Sequence, residues 1–169
     1  MVAITLINSF LISSVDYCNS LLVGLLVYRT NRIQAVLNDA VRLIFGRSWH
    51  DHVTPISRDS LHWLRGPQCI EFKVLLLVYK ALNNLAPIYI TSYCQSSSTN
   101  QHQFPLRSAD EDILMCEHVN EFGKRSFAFA GPHLWNNLPN NVRQLPPVDM
   151  LKRRLKNVCL INRLGTNIM

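Results

Sequence analysis

A chain of 169 residues, 48% hydrophobic and 17% charged, fits one globular domain or a compact body with a tail, which excludes wholesale disorder. Its formal charge of +6 is confined to the end: residues 124–169 hold eight basic residues and one acidic residue, netting +7, and the first 123 residues net −1. Five scattered cysteines, an odd number with no close pair, exclude a secreted disulfide scaffold and predict reduced thiols in the cytoplasm or nucleus.

Residues 1–15 are apolar, but no basic stretch precedes them, and Asn8 and Asp16 leave the run short of the roughly 20 apolar residues that span a bilayer. A packed helix is predicted there, not a signal peptide or a membrane partner. The stretch 6–26 reads as helical, with Asp16, Asn19 and Ser20 on a wet face. In the next helix Ile33, Val36, Leu37, Ala40, Val41 and Ile44 recur opposite Arg32, Gln34, Asn38, Asp39 and Arg42. Thr30 or Asn31 is placed to cap it, and Gly46 to close it. A polar connection follows with His50-Asp51-His52, then a short helix near 56–64 ended by Gly66-Pro67.

Residues 69–85 read as a helix that is apolar nearly all round, with Phe72, Leu75, Leu76, Tyr79 and Leu82 along one stripe that Val74, Leu77 and Val78 widen. Such a helix belongs at the centre of a core. Asn83 and Asn84 stop it, and Pro87 starts another turn. Residues 92–108, centred on Ser96-Ser97-Ser98-Thr99-Asn100, have the composition of a linker. Beyond it, 113–116 is predicted as a short strand, and Pro132 limits any helix in 126–138. Pro146-Pro147 opens a last helix, with Val148, Leu151, Leu155 and Val158 on one face and Lys152, Arg153 and Lys156 on the other. The expected fold class is mainly α: a helical region over residues 1–94, a linker 95–108, and a less regular region over residues 109–169 ending in a basic helix, either separate or all one domain.

No pattern marks a catalytic site. His50-x-His52 is the single close pair of metal-type residues, with His62 and Cys69 further on, and no C-x-x-C exists. The predicted metal ligands and cofactors are therefore none. No glycine-rich phosphate loop, G-x-S-x-G or H-E-x-x-H occurs either, and nothing singles out one cysteine as a nucleophile. Asp110-Glu111-Asp112 is read as an acidic solvated turn, because apolar strands do not flank it. It opens an acidic stretch with Glu117 and Glu121, to which the basic tail is able to dock. Phe127, Phe129 and Trp135 sit beside Leu134 and Leu138, the setting of core aromatics more than of base-stacking platforms. The best binding signal is Lys152, Arg153, Arg154 and Lys156, whose charges suit the phosphates of RNA or DNA.

Taken together, the blocks carry a resemblance. Asp16-Tyr17-Cys18-Asn19-Ser20-Leu21-Leu22-x-Gly24-Leu25 is followed by Arg32-Ile33-Gln34-x-Val36-Leu37-Asn38-x-Ala40-x-Arg42-Leu43-Ile44, then by Asp51-His52-Val53-Thr54-Pro55 and Leu61-His62-Trp63-Leu64. Phe72-Lys73-Val74-Leu75-Leu76-Leu77-Val78-Tyr79-Lys80-Ala81-Leu82-Asn83 and Leu85-Ala86-Pro87-x-Tyr89 come next. Leu106-Arg107-Ser108, Phe127-Ala128-x-Ala130-Gly131-Pro132-x-Leu134-Trp135-Asn136-x-Leu138-Pro139 and the helix over 151–160 complete the order. The series resembles the C-terminal segment of non-LTR retrotransposon (LINE-type) reverse transcriptases, over roughly residues 3–160. The resemblance implies a parent function of RNA-directed DNA synthesis in transposition, and the missing polymerase portion as a partner. The polymerase's paired aspartates have no counterpart here, so the resemblance implies no catalytic residue and no enzyme activity in this fragment. Arg65-Gly66-Pro67-Gln68-Cys69 departs from the family's usual proline and basic turn after Leu64. The alternative from another class is a helical protein–protein module whose surplus apolar surface is its interface.

Overall fold

The computed structural model describes residues 2–95, 113–116, 119–120, 123–144 and 147–161. The predicted linker from 96 onward and the acidic residues Asp110, Glu111, Asp112, Glu117 and Glu121 lie outside them. In chain order α1 (Val2–Ile7) runs through a π-turn (Asn8–Ile12) into α2 (Ser13–Asp16), followed by a 3₁₀ turn (Asn19–Leu22). Then come α3 (Val27–Phe45), α4 (Thr54–Asp59), α5 (Gly66–Leu82) and α6 (Ile88–Thr91). After a second 3₁₀ turn (Gly123–Arg125) stand α7 (Phe127–Asn136), α8 (Asn140–Arg143) and α9 (Val148–Ile161). The chain is mainly α, as its periodicities predict, with no strand among the described residues.

The first segment is helical but does not run unbroken through 6–26. The hydroxyls of Ser9 and Ser14 bond the carbonyls of Thr5 and Phe10 at 2.8 and 2.5 Å, and Ser13 bonds that of Ser9. Such back-bonding competes with the helical ladder, and the middle of the stretch winds as a π-turn. The helix ends where Tyr17 is extended and Cys18 is left-handed, at φ 52°. Asp16 is pulled to Lys73 of α5 at 2.5 Å, and Asn19 turns inward and is buried. At Gly24, φ is +67°, and a Cβ would lie 2.9 Å from Arg125 Cγ, so the chain reverses there only because the position is glycine.

α3 starts earlier than its cap signals suggest. Thr30 is a buried residue inside the first turns, its hydroxyl bonded to the Val27 carbonyl at 2.9 Å, and neither it nor Asn31 caps the helix. Gly46 closes α3 in the left-handed conformation, as predicted. The pair Gly66-Pro67 does not end the preceding helix, which spans Thr54–Asp59; it begins α5. Proline is tolerated in a first turn because its missing N–H is one of the unsatisfied donors there. The Gln68 side chain accepts from the Arg65 N–H at 3.0 Å, and Gln34 of α3 accepts from the Gly66 N–H at 2.9 Å.

α5 is the centre of the core, and α3, α6, α7, α9 and the first 3₁₀ turn all pack on it. Its buried residues are Gly66, Ile70, Val74, Leu75, Val78, Tyr79 and Ala81. The stripe is thus rotated from the predicted one: Leu76 and Phe72 are half-buried, and Leu82 is exposed. Asn83 and Asn84 stop the helix as expected, Asn84 at φ 56°.

Two further expectations fail for stated reasons. Residues 113–116 form no strand; instead the Asn136 side chain grips Leu114, accepting from its N–H and donating to its carbonyl, both at 2.9 Å. The helix α7 runs straight through Pro132. An interior proline costs roughly 3 kcal/mol in an ordinary helix, but here Pro132, Leu134 and Trp135 are all buried, and that packing outweighs the lost bond. Gly131 allows the close approach: a Cβ there would meet Val78 Cγ2 at 3.0 Å.

Candidate nucleic-acid interface

The last helix has the two faces its sequence predicts. Leu151, Leu155 and Cys159 are fully buried, Val148 and Val158 are half-buried, and Lys152, Arg153, Arg154 and Lys156 are all exposed. At about 100° per residue the four cations do not form one stripe. Lys152, Lys156 and Arg153 spread across the outer face, and Arg154 lies on the opposite flank. Asp149, a turn before Arg153, sits amid the basic face and bonds Lys152 at 3.3 Å. The pair is an exposed one of the i,i+3 type, worth a fraction of a kcal/mol. One of the four charges is therefore partly answered within the helix.

The rest of the basic excess is dispersed. Lys124 and Arg125 lie on the second 3₁₀ turn, Arg143 ends α8, and Arg163 lies outside the described residues. Two arginines of α3 are taken up by aromatic rings: Arg29 over Tyr28 at 5.4 Å and Arg42 over Trp49 at 5.1 Å. What anchors α9 among the described residues is hydrophobic burial plus a polar tie, Gln68 Nε2 donating to the Cys159 carbonyl at 2.5 Å.

The other sequence candidates are not assembled into a site. His50, His52 and His62 are exposed, Asp51 accepts from the Ser48 N–H at 3.0 Å, and His62 Nδ1 pairs with the Arg58 carbonyl at 3.1 Å. No cluster of three or more metal-type side chains occurs among the described residues. Burial pushes the Cys69 and Cys94 thiols up to about 11 and Cys159 to about 12, and it raises Cys116 too. A nucleophilic cysteine needs the opposite shift. Trp135 is buried against Tyr79, ring centroids 6.5 Å apart, and Phe129 stacks on His133 at 5.3 Å, so neither is an open platform for a base. No helix of the described residues is long and apolar enough to cross a membrane.

Sequence reading missed three features. Asp149 within the basic face is legible from its spacing to Lys152. The Asp16–Lys73 ion pair joins residues 57 apart and has no local signal. Glu71, the single acid in α5, is half-buried with Oε2 shut off from solvent and without a hydrogen-bond partner among the described residues. Burial alone pushes its carboxyl up to about 7. No family model, curated protein or solved structure matches the chain.

Proposed function

We propose that this chain is a catalytically incomplete fragment akin to the C-terminal tail of a LINE-type reverse transcriptase, and that the outer face of α9 makes sequence-independent contacts with RNA or DNA. The observation that supports the contact is the exposure of Lys152, Arg153, Arg154 and Lys156 on a helix whose other face is anchored by the buried Leu151, Leu155 and Cys159. Exposed cations on a fixed helix neutralise phosphates without reading bases. With Lys152 shared with Asp149, three or four contacts give micromolar affinity at best, falling by about 0.9 log units per contact for each decade of salt on duplex. The test is fluorescence anisotropy with single-stranded RNA and duplex DNA at two salt concentrations. Changing the four residues to Gln keeps helix propensity and should abolish binding while leaving the fold intact. Equal binding by both proteins sinks the assignment.

A second reading, a protein–protein module, is favoured by one observation. Val2, Leu6, Phe10, Tyr17 and Leu21 are all exposed along the N-terminal segment, which carries no charged side chain before Asp16. Such a surface suits another apolar surface, including the missing polymerase portion that the resemblance implies. Association through it would survive a rise in salt, whereas phosphate binding would not. On either reading, primer extension on an RNA template with magnesium should yield no product above a vector control.

A further inference from the structure

The face of α5 that meets α9 carries a carboxylate whose buried oxygen has no hydrogen-bond partner among the described residues. Gln68 Nε2 on the Cys159 carbonyl fixes that face against the end of α9. Glu71 follows three residues later, one turn along the same face. Its Oε2 is closed off from water and accepts no hydrogen bond among the described residues.

The charges around it are engaged elsewhere. On α5, Lys73 is bound to Asp16, and the Cys69 thiol faces the Leu64 carbonyl at 3.6 Å. On α9, Lys156 is exposed and Cys159 is buried. The first 3₁₀ turn has no ionisable side chain, α6 has only the exposed Tyr89, and α7 has His133. On α3, Tyr28, Arg29, Arg32 and Asp39 are exposed, and Arg42 pairs with Asp39 at 2.8 Å. None of these holds the Glu71 carboxyl down, and its shift comes from burial, while the charge of Glu71 in turn raises the Cys159 thiol of α9.

We propose that Glu71 is a proton-controlled latch for α9: as a neutral acid it lets the helix seat on α5, and its ionisation loosens the helix that carries the basic face. The carboxyl, held near 7 when α9 is seated, returns to its ordinary 4.5 when the helix lifts away. Seating is therefore tightest below 4.5, weakens as pH rises toward 7, and levels off above it. Across that window the opened fraction should rise by about a hundred-fold. The proposal concerns how α9 is held and does not depend on what its outer face binds.

Cys159 reports the opening, because its thiol is buried only while α9 is seated. The experiment labels the intact chain and its Glu71→Gln variant with a dipyridyl disulfide, reading Cys159 by peptide mass spectrometry. Gln keeps the shape and cannot ionise; labelling proceeds through the opened state, where Cys159 has left Glu71, so the thiol's own titration there is common to both proteins. The parent should label as fast as the variant at about pH 4.5 and up to about a hundred-fold faster at about pH 7.5. Equal rates at the higher pH overturn the latch. Amide exchange in the parent alone, corrected for intrinsic rates, covers the case of a poorly folded variant. Amides of both α9 and α7 should gain exchange with pH, since global unfolding also frees Glu71, but those of α9 should exchange faster than those of α7 because they open locally. Exchange in α9 that is flat with pH, or no faster than in α7, also overturns it.

Discussion

Two apolar helical regions of this chain reach opposite ends of the burial scale. From Val2 to Asp16 no residue is buried, and Leu6 and Phe10 are 52% and 73% exposed. In α5, Val74, Leu75 and Val78 are at 1% or below, covered by α7, α9 and their neighbours. Apolar content alone therefore does not place a helix in the core. What separates the two is whether later segments of the chain fold back over them. Leu134, Trp135, Leu151 and Leu155 all join the cluster around α5, and only the half-buried side of the N-terminal segment, Ile4, Ile7, Leu11, Ile12 and Val15, turns from solvent.

The largest expected effect follows from placing a charge in each region. Leu75→Asp buries an unpaired carboxylate at a position with 0% exposure, and the chain should no longer fold at room temperature. Phe10→Asp, on the open face, should melt within a few degrees of the parent by circular dichroism. If the two variants melt alike, the contrast between the regions is wrong. Leu76→Asp should fall between them, since that side chain is half-buried.

A smaller effect sharpens the α5–α9 contact. Because the Glu71 carboxyl is raised in the fold to about 7, its contribution to global stability should be greatest below about 4.5 and decline until about 7. The loss is at most about 3 kcal/mol, and Glu71→Gln should remove that component of the slope in urea midpoints taken across pH. An identical slope in both proteins would show that other groups set it.

Packing between α5 and α7 is probed by Gly131→Ala. Its Cβ would come within 3.0 Å of Val78 Cγ2, so Val78 must shift, at a cost of about 1–3 kcal/mol. An unchanged urea midpoint would mean that the two helices have room to separate. The smallest effect is expected from Leu6→Ser with Phe10→Ser, which should change stability by about 0.5 kcal/mol or less. A loss near that of a core truncation would mean that this face is covered in the isolated chain.

Much of this contrast lay beyond the reach of sequence for physical reasons. α9 is legible because polar residues set the phase of its apolar stripe, with Lys152, Arg153 and Lys156 marking the outside; in α3 Leu37, Ala40 and Val41 are buried as expected, but Val36 is exposed and Gln34, Asn38 and Arg42 are half-buried. In α5 nearly every position is apolar, so few polar residues fix the phase, and the predicted stripe through Leu76 and Leu82 is rotated from the buried one. Local rules also mislead where tertiary packing overrides them. Pro132 breaks an isolated helix but not one buried against Val78, and Gly66-Pro67 serves equally as a stop or as a start. For the basic face, the residue types were legible and their dispersal around the helix followed from spacing. The Glu71 environment was not, because it depends on where α9 lies. The open face of the N-terminal segment could not be told from a core helix, since both are read from the same apolar residues.

Native-state hydrogen exchange on the unmodified chain tests the division between these regions most directly. The account predicts that the most protected amides of α5 and α7 exchange only through global unfolding, while those from Val2 to Asp16 exchange orders of magnitude faster through local opening. Protection of Val2–Asp16 equal to that of α5 would contradict it, because the N-terminal segment would then belong to the same cooperative core.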